Sequence, residues 1–167
     1  MALDKKKDWV NFIRNIYSLA ITSGSKKAMP VFHSPASHEQ IRECEKHLGV
    51  IFPEEFKQLL LQTNGVSEKV STVKGEIDSG YFLLSVERIL ENNTFLRTQN
   101  DDFNMPLDCL LFFAEDGIGD YFGFPVIKGV VPHSRIYFWD HEDDSRQSIA
   151  PSLEYFIENW LTGKIKV

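Results

Sequence analysis

Two short segments gather most of the side chains that could do chemistry: Glu115-Asp116-Gly117-Ile118-Gly119-Asp120-Tyr121 and Trp139-Asp140-His141-Glu142-Asp143-Asp144. In the first, two glycines in three residues suit a tight hairpin with backbone at positive φ, flanked by carboxylates. It is no phosphate cradle, because it lacks the third glycine and following helix of a dinucleotide site. The pattern Gly-x-x-x-x-Gly-Lys-[Ser/Thr] occurs nowhere in the chain. An EF-hand calcium loop is excluded too, since the alternating oxygen ligands, sixth-position glycine and terminal Glu are missing. In the second segment one imidazole lies among four carboxylates, a ligand mixture that suits several divalent ions. Consecutive residues cannot all face one ion, however, and no His-x-x-x-His or Glu-x-x-His pair completes a shell. The expectation is therefore no metal and no cofactor. A solvated turn and a protein-contact loop both stay open for Asp140 to Asp144.

Nucleophilic chemistry has no local signature either. His33, His38, His47 and His133 are scattered, no Gly-x-Ser-x-Gly elbow exists, and neither Cys44 nor Cys109 sits in a Cys-x-x-Cys pair or a nucleophile motif. A catalytic residue set is not expected, so the chain reads as a binding protein and not an enzyme. Both cysteines are expected to be reduced, as in a reducing cytoplasm.

Charge narrows the class of partner. The formal net charge is −6, unevenly placed: residues 1–30 hold six Lys/Arg against two Asp/Glu, whereas residues 115–145 hold seven Asp/Glu against Lys128 and Arg135. Affinity for phosphate backbones comes from clustered Lys and Arg, so nucleic acid is not the expected partner and a basic protein is. The expected contact is electrostatic, through Glu115, Asp116, Asp120, Asp140, Glu142, Asp143 and Asp144. Tyr121, Phe122 and Trp139 are the nearby aromatic candidates for buried anchors, with a core role for the same rings equally open.

The elements that must position these residues come from periodicity. Trp9, Val10, Phe12, Ile13, Ile16, Tyr17 and Ala20 recur at helical spacing, giving an amphipathic helix over Lys7 to Ala20 followed by a polar Gly/Pro loop. Ser37 with Gln40 forms a capping box for a helix whose apolar stripe is Ile41, Cys44 and Leu48, stopped by Gly49. Pro53 suits the first position of the next helix, with Phe56, Leu59, Leu60 and Leu61 as its buried face and Asn64-Gly65 as the turn beyond it. Tyr81 to Leu84 reads as a strand, then Ser85 opens a brief helix through Val86, Ile89 and Leu90. Leu110 to Ala114 is wholly apolar and is expected at the centre of the sheet. Tyr121 to Val126 and Arg135 to Trp139 continue the strands, and Leu153, Phe156, Ile157, Trp160 and Leu161 mark a closing helix that starts at Pro151. Helices first, strands in the middle and a helix last predict an α+β fold with a mainly antiparallel sheet. At 167 residues one core is expected, organised as an N-terminal helix and loop over 1–34 and an α+β domain over 35–167. No apolar run approaches the ~20 residues of a membrane span, and the N-terminal stretch Met1 to Trp9 lacks a leader's apolar core. A cytoplasmic protein without membrane contact is expected.

The ordered landmarks from Pro35 to Gly65, with Leu48-Gly49, Pro53 and Asn64-Gly65 at their separations, resemble the N-terminal signature of the SUKH superfamily, in the branch related to fungal cell-wall glucan-synthesis regulators. Phe113-Ala-Glu-Asp-Gly-Ile-Gly-Asp120 is similar to its strand and Asp-Gly-x-Gly-Asp turn, and Ser148 to Leu161 to its closing helix. After Asp120 the family often places an aromatic and then an acid, where this chain has Tyr121-Phe-Gly-Phe. The resemblance, over about residues 35–162, implies a curved sheet with helices packed against it and no known catalytic residues. It further implies an immunity or antitoxin-like protein that neutralises a cognate bacterial toxin, often a nuclease. The alternative it implies is a non-enzymatic regulatory interaction module.

Overall fold

The computed structural model describes residues 6–167; residues 1–5, part of the stretch read above for a leader, lie outside it. In chain order the elements are α1 (Trp9–Thr22), β1 (Met29–Phe32), α2 (His38–Leu48), α3 (Glu54–Leu60), β2 (Val66–Thr72), β3 (Gly75–Leu83), α4 (Val86–Arg97), β4 (Leu110–Glu115), β5 (Tyr121–Pro125), β6 (Ile136–Trp139), β7 (Arg146–Ala150) and α5 (Leu153–Leu161). Single 3₁₀ turns at Asn100–Asp102 and Leu107–Cys109 lie in the link between α4 and β4. The strands form one seven-stranded sheet in the order β1 to β7, every pair antiparallel. The α+β class and the antiparallel sheet are as the sequence predicts.

Local signals hold where they are strongest. Ser37 and Gln40 exchange both bonds of the capping box, and Gly49 caps α2 in the left-handed conformation. Pro53 is the residue before the helix and not its first turn: it has an extended ψ of 141°, and α3 starts at Glu54. Gly65 (φ +82°) turns the chain into β2 where a Cβ would lie 2.7 Å from the Leu83 carbonyl oxygen and the Ser85 nitrogen, so no other residue fits.

Alternation along β4 builds two cores. Leu111 and Phe113 point to the main cluster, with Phe56 of α3, Phe156 of α5 and Trp9, Ile13 and Tyr17 of α1. Leu110 and Phe112 point to the other face, where Leu96, Leu107 and Trp139 complete a second cluster. This two-sided burial agrees with the central place expected of Leu110 to Ala114. The N-terminal helix shares the main core with the rest of the chain, and Trp9 is only 2% exposed.

Strand β4 has an incomplete neighbour on its β3 side. Register pairing there is confined to Leu83 with Ala114, together with the Leu84 N–H to the Phe113 carbonyl at 2.9 Å, before the chain leaves the sheet for α4. Asn93, on α4 and 1% exposed, fills the gap. Its Oδ1 accepts from the Phe112 N–H at 2.9 Å, and its Nδ2 donates to the Phe112 carbonyl at 2.8 Å and the Ile89 carbonyl at 2.7 Å. The side-chain amide thus stands in for a strand's peptide group.

Replacing Asn93 by Ala strands a buried N–H and a buried C=O of Phe112, at about 1–3 kcal/mol each. The Asn93→Ala protein should therefore lose about 2–4 kcal/mol, read as a lowered urea midpoint at unchanged m-value. A midpoint equal to that of the parent chain would refute the role given to Asn93.

Candidate functional site

In a meander, alternate turns fall at the same end of the sheet. The β4–β5 turn (residues 116–120) and the β6–β7 turn (140–145) are therefore neighbours, because β5 pairs with β6 between them. The two acidic segments of the sequence meet at one pole.

Each turn is fixed by its own carboxylates. Asp116 Oδ1 accepts from the Ile118 and Asp120 N–H groups at 2.9 and 3.2 Å, holding Gly117 and Gly119 at φ +88° and +111°. Asp140 Oδ1 accepts from the Glu142 N–H and Asp143 Oδ1 from the Ser145 N–H, both at 2.8 Å. The turns are joined by Asp120, whose Oδ1 accepts the His141 backbone N–H at 3.0 Å and its Nδ1 proton at 2.6 Å. Gly119 allows this approach, since a Cβ there would sit 3.1 Å from the imidazole.

The sequence-derived contact residues divide by burial. Asp120 is buried beneath the His141 clamp, Glu142 and Asp143 are exposed at the tip of the second turn, and Asp116 and Asp140 are half-buried between them. Trp139 is 1% exposed and belongs to the second core, edge-on to Phe103 at 5.2 Å. Phe122 is fully buried on the main face. Glu115 and Tyr121 are half-buried on the second face, away from the pole's tip. Asp144 is turned inward: its Oδ1 accepts from Trp139 Nε1 at 2.8 Å and from Arg146 Nη2 at 2.8 Å, and its Oδ2 accepts the Asn104 N–H at 3.0 Å. Arg146 continues the network to the Pro106 and Met105 carbonyls and to Cys109 Sγ at 2.9 Å. Asp144 and Trp139 thus fasten the link before β4 and are not on the surface. The wholly apolar run Ile136-Tyr-Phe-Trp139, which suits a strand covered on both faces, could have flagged Trp139 as core; nothing local in the sequence flags the Asp144–Arg146 pair or the Asp120–His141 clamp.

Ionisation follows these contacts. Burial works against the Asp144 carboxylate, yet the hydrogen bonds from Arg146, Trp139 and Asn104 with the Arg146 charge hold it below the usual carboxylate range. The hydrogen bond to Ser145 lowers Asp143. Burial raises Asp116 and Glu115, in the latter case against the nearby Arg88 charge. His141 is raised, first by its bond to Asp120, against some desolvation and with help from the charges of Asp120, Glu142 and Asp140.

Asp120, Asp140 and His141 each present one ligand atom within 4.8 Å of the others. Asp120 Oδ1 and His141 Nδ1 are hydrogen-bonded to each other, so the arrangement works as a clamp between turns. No described helix is long and apolar enough to cross a membrane.

A family model, SUKH_6, described as SMI1-KNR4 cell-wall, matches residues 38–157. The chain is also similar to a protein of Bacillus subtilis (strain 168) printed as "Uncharacterized protein YnaB", with 40% identity over 62 residues. That alignment spans 37% of this chain and 37% of the relative.

Two measurements check the geometry. Asp144→Asn, which tolerates the same left-handed backbone (φ +58°), leaves Arg146 as a buried charge without its partner and should cost about 3 kcal/mol of stability. Asp143→Asn should leave the unfolding midpoint in place. Because the Asp144 value is lowered in the fold, this contribution is present above the unfolded carboxyl value of about 3.9 and fades as pH falls through the folded one. Equal midpoints for the two variants at pH 7 would contradict the assignment. For His141 the sign is opposite. Its NMR titration midpoint should lie above about 6.5 and return toward it in Asp120→Asn. The clamp's contribution is complete below that unfolded value and disappears as pH rises through the folded midpoint.

Proposed function

The chain belongs to the SMI1-KNR4 cell-wall (SUKH) family, and we propose that it is a non-enzymatic, protein-binding immunity protein that neutralises a cognate toxin by covering it with its acidic pole. One observation carries the reading. Two turns apart in sequence are joined by the Asp120–His141 bond, and the second of them is fastened to the link before β4 by the Asp144–Arg146 network. Glu142 and Asp143 are left exposed on a rigid base.

A preorganised acidic surface gives speed of encounter and choice of partner more than raw affinity. A nuclease toxin must attract phosphate, so the face around its active centre is basic and complementary to such a pole. Asp116 and Asp140 extend the acidic surface, and Asp120 positions it from beneath. Affinity then has to come from apolar anchors next to the acids, and Ile118, 75% exposed between Gly117 and Gly119, is the side chain so placed.

Co-expression tests this reading. The parent chain should restore growth to cells producing a candidate toxin taken from its gene's neighbourhood. The double reversal Glu142→Lys/Asp143→Lys should slow association about tenfold and flatten its salt dependence while the protein stays folded. No protection by the parent chain would sink the immunity reading in favour of a regulatory interaction module. Protection and salt dependence unchanged in the double variant would sink the placement of the contact.

A further inference from the structure

We propose that the β1–β3 half of the second sheet face is a binding site for an oxyanion group, a carboxylate or a phosphate carried by a ligand, held by Lys69 and Arg88. The proposal is independent of the acidic pole, which lies at the turns of other strands.

Strand parity defines the site. Pro30 pairs with Glu68 and Val31 with Ser67, so successive residues of β2 face opposite sides. Glu68 turns toward α1, where it accepts from Tyr17 Oη at 2.5 Å and pairs with Lys26 at 2.6 Å. Ser67 and Lys69 therefore face away from α1, on the side where the β4–β6 half is covered by the Phe112 and Trp139 cluster. The β1–β3 half has no such cover. It holds a cavity of about 420 Å³ lined by His33, Ser67, Lys69, Asp78, Tyr81 and Arg88, among others.

Its chemistry is the reverse of the chain's. On a protein of net charge −6, this cavity is lined by Lys69 and Arg88 and a single carboxylate, Asp78. Asp78 is the register partner of Lys69 across β2 and β3, yet among the described residues neither Lys69 nor Arg88 forms an ion pair. Glu115 lies near enough to Arg88 to feel its charge, again without an ion pair. A ring stack orders the His33, Ser67 and Arg88 side of the cavity. His33 lies against Tyr81 at 5.4 Å and 24°, its Nε2 is 2.9 Å from Ser67 Oγ, and the Arg88 guanidinium sits 5.4 Å from the Tyr81 ring. Tyr81 thereby positions Arg88, and what the cavity offers a ligand is cationic N–H groups with the Ser67 hydroxyl. A planar guanidinium and an ammonium lining one cavity suit an oxyanion, which the guanidinium can bind through two parallel bonds.

The test is a chemical-shift titration of the full-length, ¹⁵N-labelled chain at constant ionic strength, with inorganic phosphate in one series and a glutamate-rich hexapeptide in the other. Saturable shifts at Ser67, Lys69 and Tyr81 are expected with at least one probe. Saturation by phosphate alone assigns a phosphorylated ligand, and saturation by the peptide alone an acidic one. Arg88→Gln and Lys69→Gln should each weaken that binding about tenfold, the loss of one charge-assisted hydrogen bond. Lys74→Gln, at the exposed tip of the same hairpin, should bind as the parent does, and so should Glu142→Lys/Asp143→Lys. No saturable shift with either probe, parent-like binding by Arg88→Gln and Lys69→Gln, or an equal loss in Lys74→Gln would overturn the assignment.

Discussion

Strand β4 is buried on both faces and paired from Leu110 to Glu115, with one bulge at Phe113, on one side only, and the fold depends on how its other side is finished. A peptide N–H and C=O left bare in such a place would be among the costliest groups in the molecule. The chain meets the requirement with one side chain, the Asn93 amide, which reproduces the donor and acceptor of a missing strand residue and also ties back to its own helix at Ile89. The solution fixes more than a hydrogen bond. It sets the height and rotation of α4 against the sheet, and with them the place of Leu96 over the second core and the starting point of the link that returns to β4. Everything from Arg97 to Glu115 is hung from that contact.

The acidic pole obeys the same logic with charge in place of backbone polarity. A run of carboxylates at the end of a sheet repels itself unless some of them are given partners. Here Asp120 and Asp144 are drawn inward and paired, one with His141 and the other with Arg146, Trp139 and Asn104, whereas Glu142 and Asp143 stay in water. The inward acids hold the shape and the exposed ones hold the field. Side chains that look alike in sequence therefore do different work, and composition alone cannot separate them. Burial and hydrogen bonding do.

The sequence was most legible where the determinants are local or periodic. The Ser37–Gln40 box, the Gly49 cap, the stripe Trp9, Ile13, Ile16 and the all-apolar run of β4 each declare their element within a few residues. Strands β1, β2 and β7 and the outer half of β3 did not. Met29-Pro-Val-Phe32 carries a proline, Val66 to Thr72 and Gly75 to Gly80 are mostly polar, and Arg146-Gln-Ser-Ile-Ala150 sits at the sheet's edge, so none alternates strongly. Their conformation comes from pairing with a neighbour that is itself in place. Helix α4 extends to Arg97, well beyond the Leu90 its apolar spacing supports, because Asn92-Asn93-Thr94 is a poor helical run in isolation and Asn93 is held by β4. At the pole, the turns and their closeness follow from glycine spacing and strand order. The inward turn of Trp139 and Asp144 depends on Phe103, Asn104 and Arg146, partners that no short motif announces.

Strand order equal to sequence order also has a meaning for how the molecule is made. Each strand pairs with the strand made before it: β2–β3, β4–β5, β5–β6 and β6–β7 close short links, whereas β1–β2 pairs across α2 and α3 and β3–β4 across α4. The longest wait falls on α1, which precedes every strand: its packing against α5, and the nearby Lys7–Glu154 ion pair, form only after α5 has been made. Until then the face of α1 bearing Trp9, Ile13 and Tyr17 is only partly covered, which makes the nascent chain, and not the finished protein, the state in which that helix is open to chaperones and to misassembly.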